Sequence, residues 1–313
     1  MWIGVAYGIA ACMLWGFIYL VPLVLPQYDA ILLASGRYIS FGLVALPLLW
    51  VDWDEFKQYS ARDWFDVTML GLFGNIVYYW FLTTSISHAG APLAGMCMAL
   101  IPVLICVLAN WRDRRRGAGV SWIKVVPGIG LIAFGLVLAN WTEFDYVINA
   151  LQKSGWDFWY GVGTGVIALL IWTWYPIRNA DWLLAHPGRS PKAWATAQGI
   201  TTLPVALLIY FFVWLSMPEG APLLGETPQW FVFVMLLSGL GGSWLGVACW
   251  NAMSQKLPTA LGGQMIVFET IFAVIYAHAL RMQWPSLTMC LGMTLLIGGV
   301  LVSIRTFENQ SVT

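Results

Sequence analysis

One carboxylate interrupts a long apolar run. Glu269 lies in "GQMIVFETIFAV" (263–274), and no other Asp, Glu, Lys or Arg stands between Pro258 and Leu280. A carboxyl in such a segment can bind a substrate ammonium or carry a proton in exchange, and an ionisable group inside a membrane is by default a functional candidate. Its structural alternative is a neutral acid hydrogen-bonded to neighbouring backbone. At helical spacing, Met265, Glu269, Phe272 and Tyr276 share its face. A second group, Asn75, Tyr78 and Tyr79 with Leu82, falls at i, i+3, i+4 and i+7, so an amide and two phenols line one stripe. Facing lipid they would be costly, so they should bind a polar solute or bridge helices. Trp15, Tyr19 and Trp172 can wall an apolar or cationic moiety, or simply pack. Trp244 and Asn251 lie seven apart on roughly one stripe, and Asn251, near a helix end, can also act as a cap. Arg37 can receive a carboxylate, but the expected reading is snorkelling or an acidic neighbour. His88 and His278 sit near span ends, where structural roles are expected, and His186 sits in a loop. The expected substrate-binding set is therefore Glu269, Asn75, Tyr78, Tyr79, Trp15, Tyr19, Trp172, Trp244 and Asn251, with Glu269 also the candidate for proton coupling.

The elements that must position these residues follow from composition. The 313-residue chain is 60% hydrophobic and only 10% charged, against roughly a quarter charged in a soluble domain. A spanning helix needs about 20 mainly apolar residues. Ten such runs are predicted, at 2–24, 29–50, 64–86, 91–110, 123–140, 158–178, 194–215, 229–251, 258–280 and 285–304. Barrel strands would instead alternate over about ten residues. Net charge is zero and by itself says nothing about nucleic acid; the one basic patch, "RDRRR" (112–116), reads as a topology anchor, so no nucleic-acid partner is expected. The five cysteines all fall inside spans without a CxxC, so they read as small core side chains. No metal ligand set, cofactor motif or P-loop is present, and neither HExxH nor a nucleophile elbow suggests an enzyme. The first span lacks a basic flank and a cleavage site and is taken as a real helix.

Positive charge orients the bundle. Lys57, Arg62, Arg112, Arg114, Arg115, Arg116, Lys124, Arg178, Arg189, Lys192, Lys256 and Arg305 fall on one side, and Lys153 and Arg281 on the other. The excess predicts that both termini are cytoplasmic. Trp2, Trp50, Trp53, Trp64, Trp111, Trp122, Trp141, Trp156, Trp194, Trp214, Trp230 and Trp284 cluster near span ends, where indole rings favour the membrane interface.

The halves resemble each other. "GVAYGIAACMLWG" (4–16) aligns with "GVGTGVIALLIWT" (161–173), "GLFGN" (71–75) with "GLGGS" (239–243), and "GIGLIAFG" (128–135) with "GMTLLIGG" (292–299). Gly95 also meets Gly263. Five spans per copy is an odd number, so the second copy enters from the opposite face and the repeat is inverted, a basis for alternating access. The expected organisation is a first repeat at 1–140, a periplasmic connection at 141–157, a second repeat at 158–305 and a cytoplasmic tail at 306–313.

These residues resemble the EamA-type branch of the drug/metabolite transporter superfamily. The resemblance rests on "WG" in the first helix (Trp15, Gly16), Arg37 in the second, "SISHAGAPLAGMCMALIPVLICVLA" (85–109) with Pro102 in the fourth, and "LGMTLLIGGVLV" (291–302) in the tenth. Where that family often reads Leu-Glu-Pro-Val in its ninth helix, this chain has Phe268-Glu269-Thr270-Ile271. The resemblance implies an all-α carrier of ten transmembrane helices, with a central cavity between the third, fourth, eighth and ninth helices and the first and sixth. It implies a secondary transporter of small organic solutes in a bacterial inner membrane, an exporter of amino acids such as aromatic ones or of related metabolites. Organic cations, nucleobases or sugar derivatives are the alternative cargo, and an integral-membrane enzyme the remote one. The expected partners are the solute and the bilayer, with a monomer expected and a dimer as the alternative.

Overall fold

A computed structural model describes residues 1–143, 147–149, 155–218 and 220–309. Ten helices among them are long and apolar enough to cross a membrane. They are α1 (Trp2–Val24), α2 (Ala30–Val51), α3 (Ala61–Ala89), α4 (Ala91–Arg115), α5 (Trp122–Ala139), α6 (Trp156–Ala185), α7 (Pro191–Leu215), α8 (Pro228–Ser254), α9 (Thr259–Leu280) and α10 (Leu287–Glu308). No strand occurs among the described residues. The expected connection 141–157 and tail 306–313 lie partly outside them, Lys153 included, and residues 306–308 still belong to α10.

Local chemistry sets the helix ends. Asp29 accepts hydrogen bonds from the amides of Ile31 and Leu32 at the start of α2. Ser60 and Asp63 form a reciprocal capping box at the start of α3, which satisfies amides that have no partner within the helix. Gly90, at φ 89°, permits the abrupt turn from α3 into α4. Helix α6 outruns its predicted end at 178 because polar residues there find partners. Arg178 in α6 reaches Asp66 in α3 at 3.4 Å, and Asp181 holds Arg112 of α4 at 2.7 Å.

Five spans depart from regular α-helix, among them α1, which is interrupted at Tyr19–Leu20. Leu72–Val77 in α3 and Ser238–Leu245 in α8 are π-helical, and they contain the two matched stretches 71–75 and 239–243 almost entirely. Helix α4 is interrupted at Leu100, next to Pro102, and α9 at Met265–Ile266. Thr270, which occupies the proline position of the resembled family, lies inside continuous helix from Val267 to Leu280, so the break falls upstream of Glu269 rather than after it. The break also separates Met265 from its predicted companions: Met265 is fully buried while Glu269 is only half-buried.

The helices pack as α5 on α10, α2 on α7, α3 on α6, α1 on α8 and α9, and α4 on α9. Small residues make these approaches close. A Cβ on Gly4 would meet Leu257, and one on Gly161 would meet Ala89; one on Gly8 would meet Met253, and one on Gly165 would meet Ser85. Gly74 lies against Tyr175 as Gly242 lies against Ile18, and Gly128 faces Gly299 as Gly135 faces Gly292. The contacts thus come in couples, one from each half.

The outer surface is apolar. Trp284, Trp156 and Ile123 are 96%, 87% and 82% exposed, a distribution that suits lipid rather than water. Trp194 departs from the predicted interfacial belt. It is fully buried, stacked on Trp182 at 3.5 Å, and donates from Nε1 to Asn179 Oδ1 at 2.9 Å. Two indoles with a buried amide acceptor make a core here, despite the position near a helix end.

Candidate functional site

A cavity of about 390 Å³ lies within the bundle, lined by residues of α1, α2, α3, α6, α8 and α9. That volume suits one small organic solute. Its lining reaches Pro22 and Ala30, beside the α1–α2 connection, and Ile86, near the end of α3. The opposite half of the bundle, which carries both termini, is closed by Trp250, Met253, Leu257, Leu261 and Met265 packed on Ile105 and Cys106. Both π-helical segments face the cavity, through Gly74 and Asn75 in α3 and through Gly242 and Ser243 in α8. A π-turn widens the helix, and here glycine in each removes side-chain bulk at the widened turn.

The aromatic wall is built from both halves. Trp15 and Trp172, the matched tryptophans of the two halves, meet edge to face at 6.2 Å. Tyr78 meets Trp172 at 6.2 Å and Tyr79 at 6.2 Å, while Trp172 tilts on Tyr175 at 6.1 Å. Tyr79 Oη donates to the carbonyl of Ala30 at 3.2 Å, and Asn75 Nδ2 donates to Thr202 Oγ1 at 3.3 Å. Tyr78 Oη makes no hydrogen bond within the described residues.

Two charged side chains line this space. Tyr19 Oη donates to Glu269 Oε1 at 3.0 Å, which leaves the rest of the carboxyl free toward the cavity. Close packing brings α1 and α9 together here, since a Cβ on Gly16 would strike Phe272 and the backbone of Ala273. The other charge is Arg37, whose guanidinium stacks over the Tyr38 ring at 4.2 Å and donates from Nη1 to Ser243 Oγ at 3.1 Å. The expectation that Arg37 snorkels or pairs with an acid is corrected here: it lines the cavity, and among the described residues it has no ion-pair partner.

Seven of the nine expected residues therefore meet at one cavity: Glu269, Asn75, Tyr78, Tyr79, Trp15, Tyr19 and Trp172. Trp244 and Asn251 lie elsewhere. Trp244 Nε1 donates to Thr196 Oγ1 at 3.0 Å, tying α8 to α7. Asn251 is fully buried in a polar chain in the closed half. There Asn179 Nδ2 donates to Asn251 Oδ1 at 2.8 Å, and Asn251 Nδ2 donates to the Pro191 carbonyl at 3.2 Å. Gln198 Nε2 donates to Asn179 Oδ1 at 3.1 Å while Gln198 Oε1 accepts from Tyr175 Oη at 2.8 Å, so the chain reaches the cavity wall. Asn251 thus neither caps its helix nor lines the cavity. Outside the spans, Tyr59 tucks against Trp182 and Trp194 beneath this half, and burial pushes its phenol above its ordinary range.

The cavity also differs from expectation in its helices. Helix α4 contributes nothing to its lining, and α2 contributes Arg37, Tyr38 and Phe41. Arg37, Tyr38, Tyr175 and Ser243 were not in the expected set. Arg37 carried a usable signal, as a basic residue set well inside a span rather than at its end. Tyr38, Tyr175 and Ser243 carried none, because a lone phenol or hydroxyl in a helix is equally suited to packing. His88 links the other ends of α3 and α6, with Nδ1 2.7 Å from Asp157 Oδ1. The five cysteines are unpaired, and no group of three or more His, Cys, Asp or Glu side chains gathers among the described residues.

Comparison with known proteins places this geometry. Residues 2–141 match the EamA-like transporter family. The chain is 36% identical over 315 residues to the inner membrane protein YtfF of Escherichia coli (strain K12), with 99% of this chain and 97% of that protein aligned. A solved structure described as "Crystal structure of protein" superposes with a TM-score of 0.73 at 15% identity, covering 97% of this chain and 98% of that one. At that identity the superposition speaks for the fold.

Proposed function

Because this chain belongs to the EamA-like transporter family, we propose that it is a secondary transporter exporting amino acids or related metabolites across a bacterial inner membrane by alternating access. The observation that carries this reading is the cavity itself, an aromatic chamber with Glu269 in its wall and a lining that reaches the α1–α2 connection and the end of α3. A carboxylate among tryptophans and tyrosines suits a solute that has an ammonium and an apolar body.

Alternating access needs two states of similar energy, and an inverted repeat supplies them by letting each half adopt the other's conformation. The coupled glycine contacts support such a repeat: Gly4 with Leu257 mirrors Gly161 with Ala89, and Gly74 with Tyr175 mirrors Gly242 with Ile18. In the present state α7 and α8 pack directly, while their counterparts α2 and α3 flank the cavity. Exchange of these two arrangements would close the cavity and part the half that carries the termini. The Trp244–Thr196 and Asn251–Pro191 hydrogen bonds would break in that exchange. With the basic loops cytoplasmic, as the positive-inside rule requires, the present cavity faces the periplasm.

The test is counterflow in proteoliposomes. Purified protein is expected to exchange labelled apolar or aromatic amino acids from a panel that includes organic cations, nucleobases and sugars. Failure to exchange any amino acid would remove the amino-acid reading, and exchange confined to another class would replace it.

A further inference from the structure

We infer that Arg37 is the carboxylate-binding residue of the cavity, so that this site selects a zwitterion by its two poles rather than an amine by one. The inference rests on the reading of the cavity as the substrate site.

Three observations carry it. Arg37 and Glu269 are the two charged side chains in the cavity lining, and they form no ion pair with each other or with any other described residue. A guanidinium has five N–H donors, and the protein occupies one of them, through Ser243 Oγ at 3.1 Å. The group is nonetheless held in place, because that bond and the stacking on Tyr38 at 4.2 Å anchor it from two directions. A planar, orientated fork with free donors is suited to bidentate capture of a carboxylate. Glu269 is prepared in the complementary way, since Tyr19 Oη takes one oxygen at 3.0 Å and leaves acceptor capacity for an ammonium.

The charge balance explains the selectivity. A solute with an ammonium alone would leave Arg37 unpaired in an apolar chamber, close to a like charge. A solute with a carboxylate alone would face the same conflict at Glu269. An α-amino acid at neutral pH has no net charge and answers both poles, with its side chain left for Trp15, Trp172 and Tyr78. Sites built to pair a polar substrate group discriminate strongly against analogues lacking it.

The test is equilibrium binding by titration calorimetry to the purified full chain, with two series. One comprises L-phenylalanine, 2-phenylethylamine and 3-phenylpropanoate; the other comprises L-leucine, 3-methylbutylamine and 4-methylpentanoate. In at least one series the amino acid is expected to bind at least about 100-fold more tightly than either one-pole analogue. In Arg37→Gln the ratio of amine to amino-acid Kd is expected to fall toward one, with Arg37→Lys between, because a lysine keeps the charge without the fork. Should Arg37→Gln fail to fold, Ser243→Ala removes only the orienting bond, and a reduced ratio is expected there too. Amines that bind wild-type protein within about threefold of their amino acids would overturn the two-pole site while leaving an amine-binding cavity standing. A ratio unmoved in both Arg37→Lys and Ser243→Ala would overturn it as well. Absence of binding by every compound up to about 10 mM would remove both this inference and the amino-acid reading on which it rests.

Discussion

At the residue scale, Glu269 was conspicuous in sequence because a carboxylate in a span must be explained, whereas its partner Tyr19 was one aromatic among many. Their hydrogen bond joins residues 250 positions apart, and no local pattern encodes such a pairing. A hydrogen bond to a charged group is worth about 1.5–3 kcal/mol, roughly 10- to 100-fold in affinity. Glu269→Gln is therefore expected to weaken counterflow of an amine-bearing solute by at least about tenfold while expression and melting temperature hold. It also removes the titrating group, so any rise or fall of flux between mildly acidic and mildly alkaline pH should flatten in this variant. Wild-type flux that is constant across that range would leave Glu269 with a structural role. Asn75, Tyr78 and Tyr79 were legible as one face and remain so, even though the π-turn at Leu72–Val77 shifts their register. Asn251 was misplaced for a physical reason: seven residues from Trp244 it shares a stripe, but it lies two turns nearer the closed end, where Asn179 takes it up.

At the element scale, the breaks matter more than the helices. Hydropathy locates ten spans, but π-turns come from glycine placement and cross-helix packing, which hydropathy averages away. The α5–α10 pair offers a test of how tight that packing is. A Cβ on Gly299 would meet Gly128 O at 2.8 Å and Ile132 N at 3.0 Å, both backbone atoms that cannot turn aside, whereas nothing lies within 4 Å of a Cβ on Gly298. Gly299→Ala is expected to cost about 1–3 kcal/mol, as overpacking does. Gly298→Ala, its neighbour on the same helix, should stay within about 0.5 kcal/mol of wild type, because its Cβ enters open space. Thermal melting of the two variants in the same detergent decides the matter; equal losses would mean that the α5–α10 contact is looser than its geometry. The α9 break was not legible in sequence, since Thr270 stands where the resembled family often has proline and the interruption comes upstream, at Met265–Ile266.

At the scale of the whole molecule, one half is open around a cavity and the other is closed over a buried amide chain. If the two exchange, weakening the closed half should depopulate the present state. Asn251→Ala leaves Asn179 Nδ2 without its acceptor, a loss of about 1–3 kcal/mol that falls on the closed arrangement alone. In a background with the five native cysteines replaced, Leu82→Cys lines the cavity. Its labelling by an impermeant maleimide, added from the side opposite the termini, is expected to slow at least about threefold in Asn251→Ala. A lower melting temperature with unchanged labelling would make the chain of amides purely structural. Orientation is checked separately: a fluorescent-protein fusion at the C-terminus should fluoresce and an alkaline phosphatase fusion there should be inactive, as the charge bias of the loops demands.

The sequence by itself determined the solvent, the number of spans and the segment holding the acidic residue. All of these follow from local properties: side-chain polarity and run length. Only the tertiary structure decided which polar groups meet. It replaced α4 with α2 in the cavity wall, turned Arg37 inward onto Tyr38 and Ser243, and withdrew Trp194 and Asn251 into the closed half. The reason is that lipid imposes one rule on every span, that its exterior be apolar, and says little about how each helix is rotated inside. Rotation is settled by close contacts such as Gly16 on Phe272 and Gly74 on Tyr175, between residues far apart in the chain.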